Sequence, residues 1–136
     1  MADEASARQN HLTWQSARIE SLAPLSEGIL RVLLRPQQWH RPAPGQHLDV
    51  RLTADDGYQA QRSYSLLSPP ESQGVYELGI ELMPDGEVSP WFHGAAQVGD
   101  EVEVIGPVGG HFTWHHGARA PALLVGGGSG VVPLLA

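Results

Sequence analysis

The 136-residue chain contains no cysteine and no lysine. Without cysteine there is no disulfide, no thiolate metal site and no cysteine-ligated iron–sulfur cluster. Without lysine there is no Schiff base and no lysine nucleophile, and the eight basic side chains are all arginine. Positive charge is scarce: fifteen acidic residues leave a formal net charge of −7, which argues against nucleic acid as the main partner. No apolar run approaches the ~20 residues of a membrane span, and the polar start from Met1 to Gln9 lacks a signal-peptide pattern. The expectation is a cytoplasmic protein. Seven histidines, including the adjacent His115 and His116, show no metal-ligand spacing, so no metal site is assigned. No hydrolytic motif, internal repeat or low-complexity tract is visible. The length suits one domain with a real core, and two complete domains would be crowded.

What the chain does have is short β-type segments separated by turn signals. Trp14 to Ile19 and Ile29 to Leu34 have strand character, joined through Pro24-Leu25-Ser26-Glu27-Gly28. After Pro42-Ala43-Pro44-Gly45, the segment His47 to Leu52 alternates polar and apolar residues, as a half-buried strand does. Asp55-Asp56-Gly57 closes a hairpin into Gln59 to Leu67. Ser68-Pro69-Pro70 then breaks the pattern, Val75 to Leu82 forms the next strand, and Glu101 to Ile105 another. Between those two strands, Pro84-Asp85-Gly86 is turn chemistry, and Ser89-Pro90 reads as a serine cap followed by proline at the first position of a short helix, Pro90 to Ala96. The predicted fold is all-β, a six-stranded antiparallel Greek-key barrel with one short capping helix.

Chemistry concentrates in Arg62-Ser63-Tyr64-Ser65-Leu66. Alternation on a strand puts Arg62 and Tyr64 on one face and Ser63 and Ser65 on the other. An arginine beside a phenol can hold a phosphate and cover a planar ring. By itself such an arginine is as readily a solvated side chain or half of a surface ion pair. The helix start near Ser89 can likewise be an anion site or a plain capped surface helix. Farther on, Val98-Gly99-Asp100-Glu101-Val102 and Gly106-Pro107-Val108-Gly109-Gly110 read as a turn, a strand and a glycine-rich loop. The tail Leu123-Leu124-Val125-Gly126-Gly127-Gly128-Ser129-Gly130-Val131 has a short apolar run, a glycine loop able to approach a phosphate, and a helix start; it can also be a loop without a ligand.

Arg-x-Tyr-Ser, Gly-x-Val-Ser before a short helix, Val-Gly-Asp-x-Val, Gly-Pro-x-Gly and the terminal glycine loop, in that order, resemble the ferredoxin–NADP⁺ reductase superfamily from about Trp14 to the last residue. The resemblance implies the same barrel, binding FAD rather than FMN, followed by the first strand of a truncated α/β nucleotide domain that in a complete protein binds NAD(P)H. It divides the chain into a frayed start (1–13), a flavin-binding barrel (14–114), a linker (115–121) and the beginning of the nucleotide domain (122–136). Such a nucleotide domain needs roughly 100 further residues, so the chain is expected to be a fragment completed by that domain or by a partner subunit.

The resemblance also implies roles. Arg62 pairs with the flavin pyrophosphate, Tyr64 lies against the ring or ribityl chain, and Ser65, beside Ser63, hydrogen-bonds near the reactive N5 as the catalytic residue. Gly79, Ile80 and Glu81 bring strand backbone to the cofactor. Gly86, Val88 and Ser89 meet the pyrophosphate, and Ser129 sits near flavin and nicotinamide. Glu81 departs from the basic residue many relatives carry, and facing the pyrophosphate unpaired it would repel it. Trp39, Trp91 and Trp114 are expected as core or cap aromatics, Trp114 with a possible stacking surface for adenine. The leading functional expectation is the flavin-binding domain of an NAD(P)H-dependent oxidoreductase that passes electrons to a protein or small acceptor. The alternatives are a flavin-binding relay or regulatory module without its own NAD(P)H chemistry, and a degenerate barrel that works through protein contacts.

Overall fold

The computed structural model describes residues 13–69, 72–111, 117 and 119–136. The beginning of the chain, Pro70, and Phe112 to His116 with Trp114 and the paired histidines lie outside the described residues. Six strands follow one another: β1 (Gln15–Ser26), β2 (Ile29–Pro36), β3 (His47–Thr53), β4 (Gln59–Ser65), β5 (Tyr76–Glu81) and β6 (Glu101–Val108). They form one antiparallel sheet in the order β4-β3-β6-β1-β2-β5, so β6 inserts between β3 and β1 as a Greek key requires.

The period-2 pattern determines which side of each strand becomes core. Ile19, Val32, Leu34, Leu48, Val50, Leu78, Ile80 and Val104 have no exposed surface and turn to a common interior. Each such side chain contributes about 1.5–3 kcal/mol on burial. Tyr76 is buried among them, and its hydroxyl is satisfied twice: it accepts from the His40 N–H at 2.8 Å and donates to the His40 carbonyl at 3.0 Å. Trp39 and Trp91 pack against this core from its margin, half-buried.

The sheet is rolled but not closed by a ladder. Its two ends, β4 and β5, meet through a single bridge between Leu66 and Leu78, supported by the Leu67 N–H donating to the Glu77 carbonyl at 2.7 Å. Beyond that bridge the two outer edges diverge, with strand partners on one side only.

Four expectations change. β1 runs on through Pro24 to Ser26, because it pairs with β6 only from Gln15 to Arg18; past that point its far side has no strand, and a missing proline N–H breaks no ladder there. β6 continues past Ile105 through Gly106 to Val108, which pairs with His47. A Cβ at Gly106 would lie 3.0 Å from the His47 carbonyl oxygen, so the glycine permits a strand where the sequence suggested a loop. The capping helix, α1 (Ser89–Gly94), is shorter, and Ser89 is not its cap: Val88 holds that position, and the Ser89 hydroxyl instead accepts the Met83 N–H at 2.9 Å. Finally, residues 122–125 are exposed and form no strand, since no described neighbour offers them a partner. A 3₁₀ turn (Gly128–Val131) and a short helix, α2 (Val132–Leu135), follow them. Among the described residues no helix is long and apolar enough to cross a membrane.

Candidate functional site

A cleft of about 220 Å³ opens where β4 and β5 part. Ser63, Tyr64 and Ser65 line it from β4, Gly79 and Glu81 from β5, Met83 from the following turn, and Ser129 and Val132 from the terminal segment. Six residues singled out from the sequence thus converge on one cleft, from three separated stretches of chain. Both faces of β4 contribute because the cleft runs along the strand's edge. Such an edge carries main-chain groups outside the ladder, which suit a planar heterocycle with amide-like N–H and C=O groups.

Tyr64 is half-buried and meets Phe92 of α1 edge-on, with ring centroids 6.5 Å apart and planes at 85°. Burial pushes its phenol up to about 12, against a smaller opposing pull from the positive charge of Arg62. The side chain is therefore a neutral ring with an O–H donor at ordinary pH. Arg62 does not line the cleft. It is exposed on the Tyr64 face and donates to the Gln61 carbonyl at 2.7 Å. Its charge acts on both Tyr64, which meets Phe92, and Tyr58, just before β4, whose hydroxyl donates to the Glu87 carboxylate at 2.8 Å. That bond, chiefly, holds the Tyr58 phenol above its usual range.

The other candidates divide. Ser63 donates its hydroxyl to Asp49 across the β3–β4 pair. Ser65 is half-buried and sits opposite His47 in register. The Ile80 side chain is core, and its carbonyl oxygen accepts from His93 Nε2 at 2.8 Å, which places the ring hydrogen on Nε2. His93 thereby ties α1 to β5, a link sequence reasoning missed because it runs to a main-chain atom. Gly86, Val88 and Ser89 lie at the entry to α1 outside the cleft; the Gly86 N–H already donates to the Met83 carbonyl at 2.8 Å, and Val88 is fully buried. Asp49 and Met83 were also missed, since neither belongs to a motif.

Glu81, the one charged side chain among the cleft's described lining residues, is not left facing the cleft unpaired. Its carboxylate accepts the Ser129 hydroxyl at 2.7 Å. The proton of Ser129 is thus committed, and its remaining lone pairs can accept from a ligand N–H. Beside it, a Cβ on Gly79 would lie 2.6 Å from Val132 Cγ2, so only glycine lets the terminal segment approach β5 this closely.

A wider recess of about 940 Å³ lies around the β3–β4 hairpin. Its charged lining is Arg51, Glu87, Glu101 and Glu103, with Arg51 held by Glu103 through two bonds of 2.9 Å. An acidic recess with its arginine already paired is a poor phosphate site. The smaller cleft fits part of FAD better: a glycine notch for close approach, hydroxyls, strand-edge backbone and a flanking phenol. Arg62 lies outside this lining.

Comparison with known proteins gives the family. Residues 26–114 match the model of the oxidoreductase FAD-binding domain. The chain is 34% identical over 125 residues to the reductase component of propane 2-monooxygenase from Mycolicibacterium goodii, covering 89% of this chain and 35% of that protein. It is 39% identical over 128 residues to methane monooxygenase component C from Methylosinus trichosporium, covering 88% and 35%. Among solved structures, a cytochrome P450 reductase from Amycolatopsis superposes with a TM-score of 0.79 at 28% identity, over 90% of this chain and 37% of that one. The chain spans about a third of the length of these relatives. With cleft, strand order and matched residues in agreement, the chain belongs to the oxidoreductase FAD-binding domain family, of the ferredoxin–NADP⁺ reductase type.

Proposed function

We propose that this chain is the flavin-holding part of a reductase that takes electrons from NAD(P)H through FAD to an acceptor. The observation that carries the reading is the cleft between the diverging edges of β4 and β5, where Tyr64, Ser65, Gly79 and Ser129 converge. Hydride and single-electron chemistry is supplied by FAD when bound; the protein's share is to hold, orient and shield. Tyr64 covers one side of the ring or ribityl chain as a neutral aromatic. Ser65 is assigned the hydrogen bond near the flavin N5, which makes it the proposed catalytic residue, with Ser63 fixed beside it by Asp49. Gly79 and Glu81 carry the opposite wall, with Ile80 fixing the strand between them from the core. Arg62 pairs with the pyrophosphate beside the entry to α1, where Gly86, Val88 and Ser89 shape the chain while the Gly86 N–H and the Ser89 hydroxyl stay bonded to Met83.

The same reading divides the chain into a flavin barrel at 14–114, a linker at 115–121 and the first part of an NAD(P)-binding domain at 122–136. The exposed Leu123, Leu124 and Val125 support it, because a parallel strand inside such a domain has that composition. Similarity to reductase components of monooxygenases supports an oxygenase or P450-type protein as the acceptor. A cysteine-free chain suits a cytoplasmic setting.

Titration with FAD, FMN and riboflavin tests the assignment. Affinity should fall in that order, because each step removes part of what Arg62 and the α1 entry hold. Equal affinity for FAD and riboflavin would remove the pyrophosphate site. In a reductase retaining its nucleotide domain, Ser65→Ala should slow hydride transfer more than it loosens FAD, and an unaltered rate would take Ser65 out of the catalytic role.

A further inference from the structure

The outward side of β5 carries Glu77, Gly79 and Glu81 in alternation. Glu77 is ion-paired with Arg31 of β2. Gly79 leaves a notch, and Val132 fills it so completely that the valine is only 1% exposed. Ile29 forms the notch's far wall, 3.7 Å from where a Gly79 Cβ would stand. Two residues on, Glu81 takes the Ser129 hydroxyl at 2.7 Å. Gly128 turns with φ near +57° directly above the same carboxylate, where a Cβ would lie 3.5 Å from Glu81 Oε1. An apolar peg and a charge-assisted hydrogen bond therefore hold the terminal segment on the barrel at two successive positions of one face of β5.

We infer that Glu81 is a positioning residue: it anchors the Gly126–Gly130 loop to β5 and fixes the Ser129 hydroxyl in the cleft, in concert with Val132 seated on Gly79. An acidic side chain suits this task where a basic one would not, because the hydroxyl must donate to leave its lone pairs turned outward. Two alternatives fit the surroundings less well. A solvated Glu81 would not explain the 2.7 Å contact, and a loop held by valine packing alone would be indifferent to the carboxylate. The inference deepens the flavin reading because the anchored hydroxyl lines the same cleft, yet the anchor itself can be measured with no flavin present.

The absence of native cysteine makes a single introduced thiol a clean probe. Val132→Cys should be alkylated slowly, since the side chain is covered while the loop is docked. Adding Glu81→Ala or Ser129→Ala should raise the alkylation rate about tenfold or more, the loss expected for a hydrogen bond to a charged group. Combining the two should add little beyond either alone. Glu81→Gln, which can still bond to the serine, should restore most of the protection. Unfolding midpoints for the barrel should stay close to one another across the set, separating loop release from general unfolding. Alkylation unchanged by Glu81→Ala, or raised equally by Glu81→Ala and Glu81→Gln, would overturn the anchor. A parallel FAD titration keeps the two claims apart: coupling without FAD binding would leave the anchor standing and remove the flavin reading, and the reverse result would do the opposite.

Discussion

Tyr64 shows how one residue's surroundings set its chemistry. Half-buried against Phe92, its phenol is held up to about 12 by burial. The folded state therefore keeps a proton that the unfolded chain surrenders near the ordinary value of about 10. This contribution to stability is fully present below pH 10 and is lost as pH rises from about 10 to about 12. Denaturant midpoints measured across that window should fall, and Tyr64→Phe should flatten part of the fall; Tyr58 and Tyr76, raised by the Glu87 bond and by burial respectively, account for the remainder. An unchanged slope in Tyr64→Phe would contradict the burial argument. At the same scale, Arg62→Ala should weaken FAD binding by about 1.5–3 kcal/mol through loss of a charge-assisted bond. Calorimetric titration checks it, and unchanged affinity would mean the diphosphate lies elsewhere.

At the level of elements, the site depends on α1 more than its six residues suggest. Phe92 is 2% exposed, meets Trp91 with centroids 5.0 Å apart and braces Tyr64 at the cleft. Phe92→Ala should cost about 3–5 kcal/mol, read as a lowered thermal midpoint, and should weaken flavin binding by freeing Tyr64. The Arg51–Glu103 pair between β3 and β6 is a contrasting case. Its geometry is bidentate and Arg51 also covers Trp14 at 4.0 Å, but water and salt screen the pair, so a double-mutant cycle should return only a small coupling that falls as salt is added. The strands were legible because alternation over His47–Leu52 and the turns at Asp55-Asp56-Gly57 and Pro84-Asp85-Gly86 are local signals. Their ends were not. Pro24 looked like a terminator, and only the missing neighbour beyond Arg18 shows why a proline is tolerated there. Ser89 looked like a helix cap, and only the fold brings the Met83 N–H to its hydroxyl.

For the whole molecule, the defining feature is a six-stranded sheet that rolls up until its two ends meet through one bridge in place of a ladder. Of the strands forming the mouth, β4 carries Arg-x-Tyr-Ser, and the family resemblance pointed to Gly79 and Glu81 of β5, so the cleft's candidate residues could be named in advance. Its assembly could not. That Glu81 meets Ser129, and that Gly79 makes room for Val132, depends on contacts between residues about fifty positions apart, for which no local pattern exists. The same long reach explains why the departure at Glu81, which looked unfavourable for an anionic ligand, becomes intelligible once its partner is seen. An absorbance titration of the 136-residue chain with FAD and with FMN, followed by dialysis, tests the central claim most directly. The account predicts that FAD is retained at one equivalent with a structured flavin spectrum while FMN is lost more readily; a colourless protein after dialysis from both would contradict it.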